Sequence, residues 1–134
     1  DRINKRLPVM LINAFVALVT ITMIIYVNHL PLWLLGTLLF IFGFSTGAFM
    51  LGFALGRELN KITVAATIIA LINTGDIIFS ALTQPLIGKL LDTHWQGKLI
   101  AGVHYFSTTE YRHALSILPI YILLALILLF FILN

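Results

Sequence analysis

The sequence predicts an all-α, polytopic membrane protein with four transmembrane helices. Of its 134 residues, 60% are hydrophobic and only 10% are charged, whereas a soluble domain carries about 25% charged residues. Mean hydropathy is +1.07, and so apolar a surface would not stay in water. Residues 7–27, 30–56 and 114–133 carry no charge, and each run reaches the length of about 18–20 residues that crosses the hydrocarbon core. A fourth apolar run, residues 62–91, contains Asp76 near its middle. Strand-like alternation is absent, which argues against a membrane barrel. The first run lacks a small-residue cleavage site, so it reads as a span and not as a signal peptide.

Helix one is expected over residues 8–28. Arg2, Lys5 and Arg6 stand just ahead of it, and Pro8 suits a first helical turn, where its missing N–H is no loss. Asn13, Thr20 and Thr22 are the only polar interruptions. Hydroxyls bond back to helical carbonyls at little cost, so this helix reads as largely lipid-facing. Asn28-His29-Leu30-Pro31 makes a tight turn into helix two, expected over residues 31–57. Tyr26 and Trp33 stand where interfacial aromatics are found. Helix two carries two GxxxG pairs on different faces, Gly43 with Gly47 and Gly52 with Gly56. Small residues let helix backbones approach closely, so these four glycines are read as packing positions.

A short charged loop, Arg57-Glu58-Leu59-Asn60-Lys61, leads to helix three, residues 62–91. Pro85 removes a backbone bond near its far end and is expected to kink it. The long connection, residues 92–107, is rich in His and aromatic side chains. Ser107-Thr108-Thr109-Glu110 has the spacing of a capping box, so helix four is expected over residues 108–133, kinked early by Pro119. Its remaining surface is Leu, Ile and Phe all round, as in an outer helix facing lipid.

Charge sets orientation. Arg2, Lys5, Arg6, Arg57 and Lys61 lie before helix one or between helices two and three; Lys89, Lys98 and Arg112 lie on the other side. The positive-inside rule then places both termini in the cytoplasm, in a cell (inner) membrane. The formal charge of +3 is small and clustered beside the helices, a topology signal and not a nucleic-acid surface. With no cysteine, disulfides, thiol catalysis and Cys-ligated metals are excluded. His94, His104 and His113 with Asp92 and Glu110 have no helical metal-ligand spacing and read as an interfacial loop. There is no Ser/His/Asp order, phosphate loop or registered carboxylate pair, so no enzyme, cofactor or metal is expected.

Asp76 is the only acidic or basic residue deep inside an apolar run. At helical spacing Asn73, Asp76, Ser80, Thr83 and Gln84 share one face. A carboxylate at bilayer depth costs roughly 2.5–3.5 kcal/mol on insertion scales, and intramembrane ionisable groups mark ion or substrate pathways by default. Asp76, with Asn73 one turn away, is therefore the candidate proton-coupling or substrate-contacting residue. The bland reading is a carboxylate held by a basic or hydroxyl partner at a helix–helix contact.

Asp1-Arg2-Ile3-Asn4-Lys5-Arg6 resembles the D-R-x-G-R-R element of the major facilitator superfamily, with Asn4 in place of Gly and Lys5 in place of Arg. Two helices, a short loop containing Glu58, and a helix ending Gln84-Pro85-Leu86-Ile87-Gly88-Lys89-Leu90-Leu91-Asp92 look like that family's helices nine to eleven. The terminal Leu/Ile/Phe helix looks like helix twelve. The resemblance implies part of a twelve-helix secondary transporter, a proton symporter moving a small-molecule solute by alternating access. It also implies a gating role for Asp1, Arg2 and Arg6, and partners in the lipid bilayer and the remaining helices. The first residue is Asp and not Met, which fits the expectation of a C-terminal third. Two alternatives stand beside it. One is a complete four-helix homodimeric exporter like the small multidrug resistance family, although that family's essential acid lies in its first helix. The other is a non-transporting assembly subunit whose Asp76 meets a basic residue of a partner chain.

Overall fold

A long apolar sequence has no water to satisfy its amides, so its backbone must bond to itself, and helices do this within one segment. The computed structural model describes residues 3–100 and 102–133. Helix α1 spans Ile3–Tyr26, α2 Leu32–Thr46, α3 Phe49–Glu58, α4 Ala65–Thr93, α5 Thr108–Leu115 and α6 Ile117–Leu133; a 3-10 turn, Ile62–Val64, precedes α4. Four helical stretches are long and apolar enough to cross a membrane: Arg6–Tyr26, Leu32–Glu58, Ile62–Thr93 and Thr108–Phe131.

Successive spans run in opposite directions. At one end Arg6 Nη2 meets Glu58 Oε1 at 2.7 Å. At the other, the Tyr26 and Ser116 hydroxyls lie 2.7 Å apart. Arg112 there donates from Nε to the Ile25 carbonyl at 2.9 Å and from Nη2 to Asn28 Oδ1. The Ile25 carbonyl belongs to the last turn of α1, where carbonyls lack helical partners.

Helix α1 is the centre of this chain, packed on α2 and α6. Of its apolar stretch 22% is buried, against 11% in the second span and 6% in the third and fourth. Leu7, Ala17, Thr20, Ile21 and Ile25 form its buried face, while Ile12, Phe15 and Val19 point outward. Within this chain α1 is thus the most covered of the four spans, and most of its apolar stretch still stays open. In a membrane, apolar side chains suit lipid and protein alike, so a uniform apolar surface does not distinguish outer from inner; the small Ala17 and Thr20 allow the close approach.

Two spans are interrupted where one continuous helix was expected. The second breaks at Gly47 and Ala48. There the Gly47 N–H reaches the Gly43 and Phe44 carbonyls at 3.3 and 3.2 Å, and the Ala48 N–H reaches Ser45 O at 3.2 Å, the tight bonding of a 3-10 turn. Glycine is a poor helix former, and the Thr46 hydroxyl donates to the Gly43 carbonyl at 2.9 Å. The fourth span breaks at Ser116, between α5 and α6. Pro119 has no N–H for the Leu115 carbonyl, and the Ser116 hydroxyl donates to Arg112 O at 2.6 Å. By contrast, α4 continues through Pro85, and α1 starts early enough to place Pro8 inside it.

Between the third and fourth spans, Leu99–Ile100 (β1) pairs antiparallel with Val103–His104 (β2). Gly102 takes φ +78° at the turn, which favours glycine. The α5 start is the capping box expected of Ser107 and Glu110, with both reciprocal bonds present.

Candidate functional site

The third span packs on α5 at its far end and is otherwise held by one edge. Ile68 and Ile72 of α4 pack on α3 at Gly56, and Phe79 meets the Tyr121 ring of α6 edge-on at 4.8 Å. Asn73, Asp76, Ser80 and Gln84 are all exposed. At about 100° per residue, their face lies roughly a quarter turn from the edge formed by Ile68, Ile72 and Phe79. Thr83, nearer that edge, is half-buried, and its hydroxyl donates to Phe79 O at 2.7 Å.

Asp76 sits about 21 Å along this span from Ile62, counting 1.5 Å per residue, close to the middle of the stretch Ile62–Thr93. Among the described residues it has no hydrogen-bond or ion-pair partner. The chain thus presents a mid-span carboxylate, flanked by an amide and a hydroxyl one turn to either side, on a face its own helices leave uncovered.

Of the motif at the start of the chain, Asp1 and Arg2 lie outside the described residues. Arg6 pairs with Glu58, and their side chains are 26% and 31% exposed. The four glycines of the second span differ from one another. A Cβ at Gly56 would meet Ile72 Cδ1 at 2.9 Å and Ile68 Cγ2 at 3.0 Å, so this glycine sets the α3–α4 approach. A Cβ at Gly47 would meet the Phe44 carbonyl oxygen at 3.1 Å, and at Gly43 or Gly52 it would meet nothing within 4 Å.

The chain matches no known family model, no curated protein and no solved structure.

At the Arg112 end the loop folds onto α5. His94 stacks on His113 with centroids 5.3 Å apart, and Trp95 stacks on His104 at 3.8 Å. His104 Nδ1 lies 3.9 Å from Asp92 Oδ1. Glu110, only 4% exposed, accepts the Gln96 N–H at 2.9 Å and the Ser107 N–H, which ties the loop to the first turn of α5. Among the described residues no group of three His, Cys, Asp or Glu side chains is placed to hold a metal ion.

Spacing alone does not single out Ser45 and Tyr121, which line a groove between α1, the α2–α3 break and α6. A lone hydroxyl in an apolar run has no periodic signature. The available signal is Gly43 and Gly47 on either side of Ser45, a pair that weakens the helix where the serine sits.

Proposed function

We propose that this chain is part of a secondary active transporter of the major facilitator type, moving a small solute by alternating access. Its four apolar helices cross the membrane with both termini in the cytoplasm, and further helices cover the α4 face. Asp76 takes up and releases the coupling proton, and Asn73 contacts the solute beside it. Arg6 and Glu58 act at the cytoplasmic end as a charge pair that closes in one conformation and parts in the other.

The observation that carries this reading is the partnerless Asp76 carboxylate at mid-span. Left against lipid it would cost several kcal/mol, so the assembled protein must give it water, a solute or another side chain. Transporters of this architecture place their sites near the midplane, between repeats that rock about them.

The test is proton flux into proteoliposomes containing the assembled transporter, followed by a pH dye in the lumen during addition of candidate solutes. Wild-type protein should show solute-dependent proton entry. Asp76→Asn should lose it while retaining downhill solute exchange. Unchanged proton entry in that variant would remove Asp76 from the coupling step. The same uncovered carboxylate also favours a second reading, an assembly subunit whose Asp76 pairs with a partner's basic residue. In that case Asp76→Asn would dissolve a stable complex and leave no flux to measure in either form.

A further inference from the structure

The two helix breaks fall on one boundary. Helix α1 runs unbroken for 24 residues and packs chiefly on α2 and α6, whereas α4 runs unbroken for 29 and packs chiefly on α3 and α5. Packing between these two groups is sparser. The chain passes from one group to the other at two places, and these are the breaks at Gly47–Ala48 and at Ser116.

Both places are built to bend. The N–H groups of Gly47, Ala48, Met50 and Leu51 bond three residues back at 2.9–3.2 Å, a 3-10 stretch of the kind that often marks a hinge inside a helix. Open grooves flank it, one lined by Ala17, Ser45 and Tyr121 and the other by Asn13, Gly43 and Gly47, so little packing resists a bend. At the second break the Leu115 carbonyl lacks an N–H from Pro119. The Tyr26 hydroxyl, 2.7 Å from that of Ser116, holds this point to α1. The remaining ties between the groups are small. Arg6 meets Glu58 at one end, and Arg112 meets the Ile25 carbonyl and Asn28 at the other. Between them the Phe79 and Tyr121 rings touch edge-on, each near the middle of its span. Such a ring contact has no hydrogen bond to break when helices tilt, whereas the polar ties at the ends must part.

We propose that α3, α4 and α5 tilt as one body against α1, α2 and α6, bending at Gly47–Ala48 and at Ser116 and pivoting on the Phe79–Tyr121 contact. Tilting one way parts Arg6 from Glu58, and tilting the other way parts Arg112 from Asn28, so the two polar ties act as opposed latches. The moving body carries the whole α4 face, Asp76 included. The hinge rests on the packing of this chain and not on the role of Asp76, and a rigid chain would leave the transporter reading standing.

The test is double electron–electron resonance on the full chain in lipid nanodiscs, with nitroxides on cysteine pairs introduced into a chain that has none of its own. The pairs Ile12–Leu71 and Leu39–Leu82 span the two bodies, one in each half of the fold, and all four sites are exposed. Each should show two distances. Ile12–Leu128, within the first body, and Met50–Leu71, within the second, should show one. Arg6→Gln should enrich the longer Ile12–Leu71 distance about two- to fivefold, the worth of an exposed ion pair, and Asn28→Ala should enrich the longer Leu39–Leu82 distance. Gly43→Ala with Thr46→Ala strengthens the helix at the break, because glycine is a poor helix former and the Thr46 hydroxyl competes for the Gly43 carbonyl. A Cβ at Gly43 meets nothing within 4 Å, so this variant should fold and should merge the two distances into one. A distribution that neither latch variant changes makes the breaks rigid kinks and overturns the proposal. Equal spread within the bodies and between them overturns it too, as does a stiffened variant that behaves like wild type.

Discussion

Arg6 Nη2 lies 2.7 Å from Glu58 Oε1, joining the start of the first span to the end of the second. Both side chains keep about a quarter to a third of their exposure, so water and salt screen the pair, and such bridges contribute about 0–1 kcal/mol. A double-mutant cycle with Arg6→Gln and Glu58→Gln, read by chemical unfolding in detergent, should give a coupling below about 1 kcal/mol. If the pair is a gate, the single variants should change transport rate far more than stability. A coupling of several kcal/mol would mean that the pair is structural.

Gly56 and Gly52 belong to the same GxxxG pair but should behave differently. A Cβ at Gly56 presses on the ends of Ile72 and Ile68. The Ile72 Cδ1 end can turn away, whereas Ile68 Cγ2 sits on a stiff β-branched carbon, so Gly56→Ala should cost a little and Gly56→Leu should separate α3 from α4 at a cost of about 1–3 kcal/mol, as for other overpacked contacts. Gly52→Ala meets nothing within 4 Å and should be neutral in this chain. Unfolding midpoints of the three variants check the order. A severe Gly52→Ala defect would reveal an additional helix packed on that side.

Arg112 holds the end of the first span to the start of the fourth through the Ile25 carbonyl and the Asn28 side chain. Its planar fork serves both acceptors, and lysine offers a single charged tip. Arg112→Lys should therefore recover only part of the stability lost in Arg112→Ala. That loss is expected near 1.5–3 kcal/mol, the range for hydrogen bonds to charged groups. Ser116→Ala, which removes the Tyr26 contact, should cost less. Equal stability for the Arg and Lys forms would mean that charge alone acts here.

What the sequence disclosed follows from which signals are local. Long apolar runs set the four helical stretches, and the Ser107–Glu110 capping box set the start of α5, because both are fixed by neighbours in the chain. The break at Gly47 was less legible: GxxxG signals packing and helix weakness alike, and the Thr46 bond to Gly43 that accompanies the break depends on the side-chain rotamer. The central place of α1 between α2 and α6 was not legible, since an apolar helix suits lipid and protein equally. The α4 stripe could be read from spacing, but its uncovered state could not, because that depends on where α1, α3 and α6 place themselves. The β1–β2 hairpin was missed because two-residue strands are too short for alternation to register.

Orientation is open to a direct check by labelling in intact cells. Arg6, Arg57 and Lys61 belong to one end of the fold and Lys98 and Arg112 to the other, and the positive-inside rule puts the first end in the cytoplasm. Gly97 has φ +81°, where a cysteine would be strained, so the reporter belongs at Val103, which is 68% exposed. A cysteine at Val103 should react with an impermeant maleimide from outside. One at Asn60, exposed at the opposite end, should react only after permeabilisation. The reverse pattern would invert the topology and move Arg6 and Glu58 to the outer face.

Asp76, Asn73 and Ser80 should also make this chain associate through α4. At the level of Asp76 one edge of α4 touches the rest of the fold, at Gly56 and Tyr121; the end of α4 packs on α5, and only 6% of the apolar stretch of that span is buried. Exposing the carboxylate to lipid would cost roughly 2.5–3.5 kcal/mol on insertion scales, while an interhelical polar contact returns about 0.6 kcal/mol on average. The dominant drive is therefore removal of the charge from lipid, with hydrogen bonds a smaller addition. Sedimentation equilibrium in mild detergent should show oligomers of the chain alone. Cysteines placed at Ser80 should cross-link between copies, and cysteines at the outward Leu123 should not. Asp76→Leu should shift the population strongly toward monomer, because it removes the group that lipid rejects; Ser80→Leu should shift it only slightly. If the chain is part of the proposed transporter, supplying that transporter's other helices in trans should compete with self-association and protect a cysteine at Ser80 from labelling. A wild-type chain that stays monomeric across the accessible range, with Asp76 reactive toward a carboxyl-modifying carbodiimide from the aqueous phase, would mean that water reaches this face without any partner, and the cover inferred for α4 would have no physical basis.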